Sequence, residues 1–205
     1  LFVKVEFKII KGYDNIPKII ALEVESWPEG TRASSNCFES RLKHFPEGVV
    51  AAVHESGDLA GLCTSMIINV KEKSSIESWE KVTNNGLIDS HDYNGKHLYI
   101  VSLGVSPRYQ NKGVGKQLLE AQKEIAQKFG LEYIILGSRA PLFHKYNGSI
   151  EKYLEKKNSQ GESLDPLIRF YQKCGFDIIC IKPNYMEDDR ESKNYGVLMS
   201  KDLLP

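Results

Sequence analysis

The sequence predicts an α+β fold: a central mixed, mostly antiparallel sheet flanked by helices. Three observations carry that expectation. Residues 98–105 and 131–136 are apolar but for Ser102 and Glu132 and flank one amphipathic helix, a strand, helix, strand unit whose right-handed crossover leaves both strands parallel and central. Residues 49–54 and 59–70 read as a hairpin around Ser56, Gly57 and Asp58. Residues 176–181 and 195–199 close the chain as an antiparallel pair.

The remaining elements follow in order. Residues 3–10 alternate enough for a first strand, and Asp14 is placed to cap a helix carrying Ile16, Ile19, Ile20 and Val24. Pro17 fits within its first turn, and Trp27-Pro28 ends it. Ser34 or Ser35 opens a second short helix with Phe38, Leu42 and Phe45 along one face, before the turn at Pro46, Glu47 and Gly48. Residues 71–97 are polar, with scattered apolar groups and Asn-Gly turns, and read as a long excursion over the surface. Residues 138–165 form an insertion with a helix at 150–157. Neither a repeat nor a linker interrupts residues 1–205, so one domain is expected.

The densest chemical signal lies between strand and helix in the central unit. Ser106-Pro107 closes the apolar run, and Gln110, Asn111, Lys112, Gly113, Val114, Gly115 and Lys116 follow. From Val114 the chain places Leu118, Ala121, Ile125 and Phe129 on one face, with Glu120, Lys123, Glu124 and Lys128 between them, and Gly130 ends the helix. A helix start leaves its first N–H groups unpaired and carries partial positive charge, so this turn is a socket for an anion. Gly113 and Gly115 lack Cβ atoms, so a bulky ligand can approach the main chain. The spacing departs from G-x-x-x-x-G-K-[ST] and from G-x-G-x-x-G, which withdraws support from nucleotide hydrolysis and dinucleotide binding.

Gln110, Gly113 and Gly115 match the signature Q/R-x-x-G-x-G/A after a strand, and Tyr171, Gly175 and Phe176 match Y-x-x-x-G-F at the end of an aromatic-rich helix. On these residues, and on the order of the elements around them, the chain resembles the GNAT superfamily of acyl-CoA-dependent N-acyltransferases. The resemblance implies a single GNAT-like domain whose strand, helix, strand unit binds acyl-CoA. It implies that backbone N–H groups from Gln110 to Lys116 hold the pyrophosphate of coenzyme A, and that the main chain of Leu103, Gly104 and Val105 pairs with the pantetheine arm. Arg108, Lys112 and Lys116 are candidates to meet phosphates, or else form a solvated face. Tyr171 is the candidate catalytic acid: a phenol with an ordinary pKa of about 10 stays protonated at neutral pH and can donate to a departing thiolate.

The resemblance thus implies an N-acetyltransferase moving an acetyl group from acetyl-CoA to a primary amine of a small molecule or peptide by direct transfer. Two departures are visible. Many relatives carry a Glu on the fourth strand where this chain has Ser102, so no general base is assigned. The segment from Ser138 replaces an Asn and a short helix. Both departures keep open a catalytically silent acyl-CoA-binding regulatory module, and a ligand-free interaction domain stands as a third reading. The insertion, the polar excursion and the Phe45-Pro46-Glu47-Gly48 turn are also similar to GNAT domains found beside nitrilase-like amidohydrolases. Arg139, Lys145, Phe143, Tyr146 and Tyr153 give the insertion a mixed aromatic and cationic character that suits an acceptor pocket holding a carboxylate. Glu187, Asp188, Asp189 and Glu191, between the last two strands, offer negative charge to an amine.

Composition bounds the partners. Lys+Arg and Asp+Glu both number 27, so no net charge steers the chain to nucleic acid or an anionic membrane. Cys37, Cys63, Cys174 and Cys180 lack C-x-x-C spacing and read as reduced thiols, with no metal site expected. Neither a span-length apolar segment nor a signal pattern over residues 1–6 is present, which places the expectation in the cytoplasm, as a monomer or homodimer.

Overall fold

The computed structural model describes residues 7–203. Its elements in chain order are β1 (Phe7–Lys11), α1 (Ile16–Ser26), α2 (Ser35–His44), β2 (Val50–His54), β3 (Leu59–Ile68), α3 (Trp79–Thr83), β4 (His97–Val105), α4 (Val114–Lys128), β5 (Tyr133–Ser138), α5 (Ile150–Leu154), α6 (Pro166–Lys173), β6 (Asp177–Lys182) and β7 (Gly196–Asp202). The expected strand residues 3–6 and the terminal pattern over residues 1–6 lie outside the described residues.

One seven-stranded sheet runs in the order β1, β2, β3, β4, β5, β7, β6. Only β4 and β5 are parallel, from His97↔Tyr133 to Ile100↔Leu136; every other pairing is antiparallel. The fold is therefore the α+β architecture that the sequence predicts. On one face, Ile19 and Leu22 of α1 and Phe38 of α2 pack against Val49, Ala51, Leu59 and Leu62. On the other, Leu118 and Ile125 of α4 and Ile168 and Tyr171 of α6 pack against Cys63, Leu98 and Leu136.

Local differences have physical causes. Asn15, rather than Asp14, caps α1, because its side-chain oxygen reaches the Lys18 N–H at 3.2 Å. Gly130 ends α4 with φ +66°, where the Leu131 N–H returns to the Ala126 carbonyl. That motif keeps Leu131 out of β5, so the strand starts at Tyr133. The helix expected over 150–157 ends at Leu154, because Lys157 pairs with Ser163 in an isolated bridge.

The segment 71–97 is not confined to the surface. Ile76, Thr83 and Ile88 are buried in it, and the Trp79 indole donates to the Val101 carbonyl at 2.8 Å. Their irregular spacing hides this in the sequence, since burial here follows the shape of the gap below α2 rather than a helix or strand period.

His91, in the same segment, supplies a pH-dependent element. Its Nδ1 accepts the Ile67 N–H at 2.9 Å, its ring stacks on Phe45 at 4.4 Å, and its Nε2 is sealed off without a partner. Protonating the ring would displace the Ile67 bond, and burial, the largest cause, lowers the pKa from 6.5 to about 4. The unfolded chain thus binds the extra proton first, so stability present above pH 6.5 is lost as pH falls through 6.5 toward about 4. His91→Gln keeps an acceptor without the titration, and its Tm should fall less steeply over that window. Burial lowers the His97 pKa too, so some slope remains. An unchanged slope in the variant excludes His91 as the responsible group.

Candidate functional site

The turn between β4 and α4 has the geometry of an anion socket. Ser106 donates its N–H to the Ala60 carbonyl, a single 3-10 turn follows, and Asn111 and Gly113 adopt φ +60° and +81°. None of the peptide N–H groups from Asn111 to Lys116 finds an acceptor among the described residues. The first turn of α4 carries no acidic side chain. The two glycines differ in role. A Cβ on Gly113 would meet nothing within 4 Å, whereas one on Gly115 would lie 2.9 Å from the Phe170 ring. Gly113 therefore serves the backbone and the open approach, while Gly115 lets α6 pack on α4. Lys116 is exposed, Lys112 lies over the Tyr109 ring at 5.2 Å, and Arg108 already reaches Asp58 at 3.5 Å.

Beside this turn the sheet opens. Pairing between β4 and β5 stops at Ile100↔Leu136, and Gly137 and Ser138 continue on β7 instead. A bulge between Ser102 and Ile100, opposite Thr64 and Ser65, leaves Val101 out of register with β3. The main chain of Leu103, Gly104 and Val105 is thus paired with β3 on one edge only. Gln110 Nε2 donates to the Val105 carbonyl at 3.3 Å, joining strand and turn.

Tyr171 lies on α6, between Phe170 (ring centroids 5.1 Å) and Phe176 (5.9 Å), on the α4 side of the sheet. The residue is 8% exposed, and its hydroxyl takes no partner among the described residues yet is not among the sealed polar atoms. Burial, and next the neighbouring Cys63 and Cys174, push its pKa above the usual phenol value. Asp165 positions α6: it caps the helix through the Leu167 and Ile168 N–H groups and accepts from Leu142 N–H and the Tyr153 hydroxyl. The insertion it holds has its own small core of Ala140, Phe143, Ile150 and Tyr153.

The opposite face of β4 carries groups that the sequence does not single out. Arg41 of α2 is fully buried, donating from Nε to the Gly86 carbonyl at 2.9 Å and from Nη1 to both Thr64 Oγ1 and Ser102 Oγ at 3.2 Å. One signal for it exists: Arg41 stands three residues from Phe38, a cation on the helix's apolar face. Trp27, read only as a helix terminator, holds its Nε1 buried and unpaired 3.1 Å from where a Gly104 Cβ would stand.

Between residues 28–30 and the β6–β7 connection lies a cavity of about 420 Å³, lined also by Arg139, Asp188, Arg190 and Glu191. Arg139 is not free to receive a ligand carboxylate. It binds Asp189 through Nε (2.9 Å) and Nη2 (2.6 Å), and Glu191 through Nη2 at 2.8 Å. Asp189 is buried, so this pair clamps the insertion to the β6–β7 connection and removes Asp189 from the charge offered to an amine. Among the described residues no group of three or more His, Cys, Asp or Glu side chains is placed to hold a metal, and no helix is long and apolar enough to cross a membrane.

Comparison with known proteins agrees with this geometry. The loading GNATL domain of CurA from Lyngbya majuscula superposes with a TM-score of 0.84 at 25% identity, over 97% of this chain and 98% of that one. A Bacillus subtilis (strain 168) protein named "Uncharacterized N-acetyltransferase YkwB" is 35% identical over 204 residues, 96% of this chain and 89% of its own length. "Probable hydrolase YhcX" of the same organism is 34% identical over 196 residues, 93% of this chain but 38% of its own length. The Acetyltransferase (GNAT) family model matches residues 16–148, across the whole of the β4 turn and α4. With that model over most of the chain and a relative 35% identical across 96% of it, the chain belongs to the GNAT acetyltransferase family.

Proposed function

We propose that the protein transfers an acetyl group from acetyl-CoA to a primary amine of a small molecule or peptide, in one ternary complex. The single observation that carries this reading is the set of unpaired N–H groups over Asn111, Lys112, Gly113, Val114, Gly115 and Lys116, beside the free edge of β4. In that reading the turn holds the pyrophosphate, with Gln110 fixing its start. The thioester arm runs along Leu103, Gly104 and Val105 where β5 has parted. The amine nitrogen attacks the thioester carbonyl, the C–N bond forms, the C–S bond breaks, and the thiolate leaves with its electron pair. Tyr171 donates toward that sulfur. Full transfer from an ordinary phenol to a free thiolate of pKa about 8.5 is uphill by about 2 kcal/mol. Burial raises the Tyr171 pKa and makes the phenol a weaker acid still, so its role is a hydrogen bond to the developing thiolate and the sulfur takes its proton from water after it departs.

Ser102 stands where many relatives carry a carboxylate, and its bonds to Arg41 and Thr64 leave it no role as a base. The amine therefore enters neutral and its proton leaves to water. The likeness to GNAT domains carried beside nitrilase-like amidohydrolases belongs to the same proposal, supported by the partial match to the relative named a hydrolase.

Calorimetry with acetyl-CoA, and thiol release over a broad panel of amines, test the reading. Micromolar binding together with turnover on at least one amine supports it. Binding with no turnover on any acceptor points instead to a silent acyl-CoA-binding module, and no binding removes both.

A further inference from the structure

In the Arg41, Thr64, Ser102 cluster one arrangement of hydrogens leaves no buried hydroxyl hydrogen unpaired. Arg41 Nη1 donates to both hydroxyls, and Thr64 Oγ1 and Ser102 Oγ share a bond of 2.8 Å. Thr64 is fully buried with no other acceptor among the described residues, so its hydrogen goes to Ser102. Ser102 Oγ then accepts twice, and its own hydrogen points away from the cluster. Ser102 is only partly buried, whereas Arg41 and Thr64 are fully buried, so Ser102 is the accessible member of the cluster. Two positions along the same face, the Trp27 indole N–H stands over Gly104, buried and unpaired.

The charge behind these donors lacks an ion-pair partner, although Glu23 acts on it electrostatically and the Phe38 ring lies 4.7 Å from the guanidinium carbon. No carboxylate hydrogen-bonds Arg41 among the described residues, and its Nη2 has no partner. The acid nearest in electrostatic effect, Glu23, is itself buried and accepts the Ala33 N–H. Gly86 (φ +83°) wraps this corner: a Cβ there would lie 2.9 Å from Arg41 Nη2 and 2.8 Å from the Trp79 ring. A buried cation without an anion is unfavourable, and a bound anion at the mouth of the cluster relieves it.

We propose that this face of β4 holds a carboxylate of the substrate, receiving hydrogen bonds from Ser102 Oγ–H and Trp27 Nε1–H and neutralised at one remove by Arg41. Ser102 and Gly104 are two apart on the strand and so share this face, which brings the Trp27 N–H over Gly104 to the same side as the Ser102 hydroxyl. The proposal rests on the acyl-CoA reading and names a substrate class within it. The carboxylate belongs either to the acyl chain or to the amine acceptor.

Two comparisons on the full chain separate these sources. Calorimetry compares succinyl-CoA with butyryl-CoA, which match in chain length and differ in the carboxylate. Turnover with acetyl-CoA compares amino acids with their amides. A preference of about tenfold or more for the acid in either comparison, falling to about twofold or less in Ser102→Ala and in Arg41→Met, supports the proposal and identifies the source. For Arg41, which acts through Ser102, the effect must appear in substrate KM with kcat little changed. Should Arg41→Met fail to fold, Ser102→Ala decides. Intact CoA binding with no preference in either comparison overturns this inference alone, whereas loss of all CoA-ester binding in the wild type overturns the acyl-CoA reading with it. A kcat loss in Ser102→Ala equal for every substrate overturns it too, and makes Ser102 a donor to the reacting carbonyl.

Discussion

Tyr171→Phe is expected to lower kcat by about 10²- to 10⁴-fold while leaving acetyl-CoA affinity within about twofold, the signature of a group used at the thioester and not in holding the cofactor. The substitution keeps the ring that packs between Phe170 and Phe176 and removes only the hydroxyl, which has no partner among the described residues. No internal hydrogen bond is therefore lost, and Tm should stay close to that of the wild type. Pre-steady-state release of thiol gives the chemical step directly. An unchanged rate for that step would show that Tyr171 is a core aromatic and nothing more.

Gly113→Val is expected to weaken acetyl-CoA binding by about a hundredfold or more. Two effects add. At φ +81° any L side chain is strained, by roughly 1–2 kcal/mol, and a branched one adds bulk where the N–H groups converge. The space around Gly113 is open, with nothing within 4 Å of an added Cβ, so the domain itself has no clash to resolve. Gly113→Ala carries the backbone strain with less bulk, so the difference between the two variants isolates the volume denied to the ligand. Calorimetry with thermal melts checks both. Wild-type affinity in a folded Val variant would remove the phosphate from this turn.

The contrast between Gly113 and Gly115 shows how much of the site the sequence carries. Both match one motif, and the motif places the turn correctly because it is local: a strand end, left-handed residues and a helix start are neighbours in the chain. Which glycine stays open and which meets Phe170 depends on where α6, more than fifty residues onward, comes to lie. Arg139 makes the same point with charge. Its composition suggests a carboxylate-binding lid, but Asp189 and Glu191, fifty and fifty-two residues away, occupy the guanidinium.

The sequence by itself determined the order and type of the strands, the amphipathic α4, the glycine turn before it and the helix that carries Tyr171, because each rests on periodicity or on residues a few positions apart. Only the tertiary structure decided that β4 and β5 part after Ile100 and Leu136, that residues 71–97 reach into the core, and that Arg41, Thr64 and Ser102 meet with no carboxylate hydrogen-bonded to the guanidinium among the described residues. Those outcomes join α2, β3 and β4 across separations of 23 to 61 residues. Burial turns such a meeting into chemistry: a guanidinium that would be solvated on an isolated helix becomes, under α2 and against the sheet, a charge that calls for an anion.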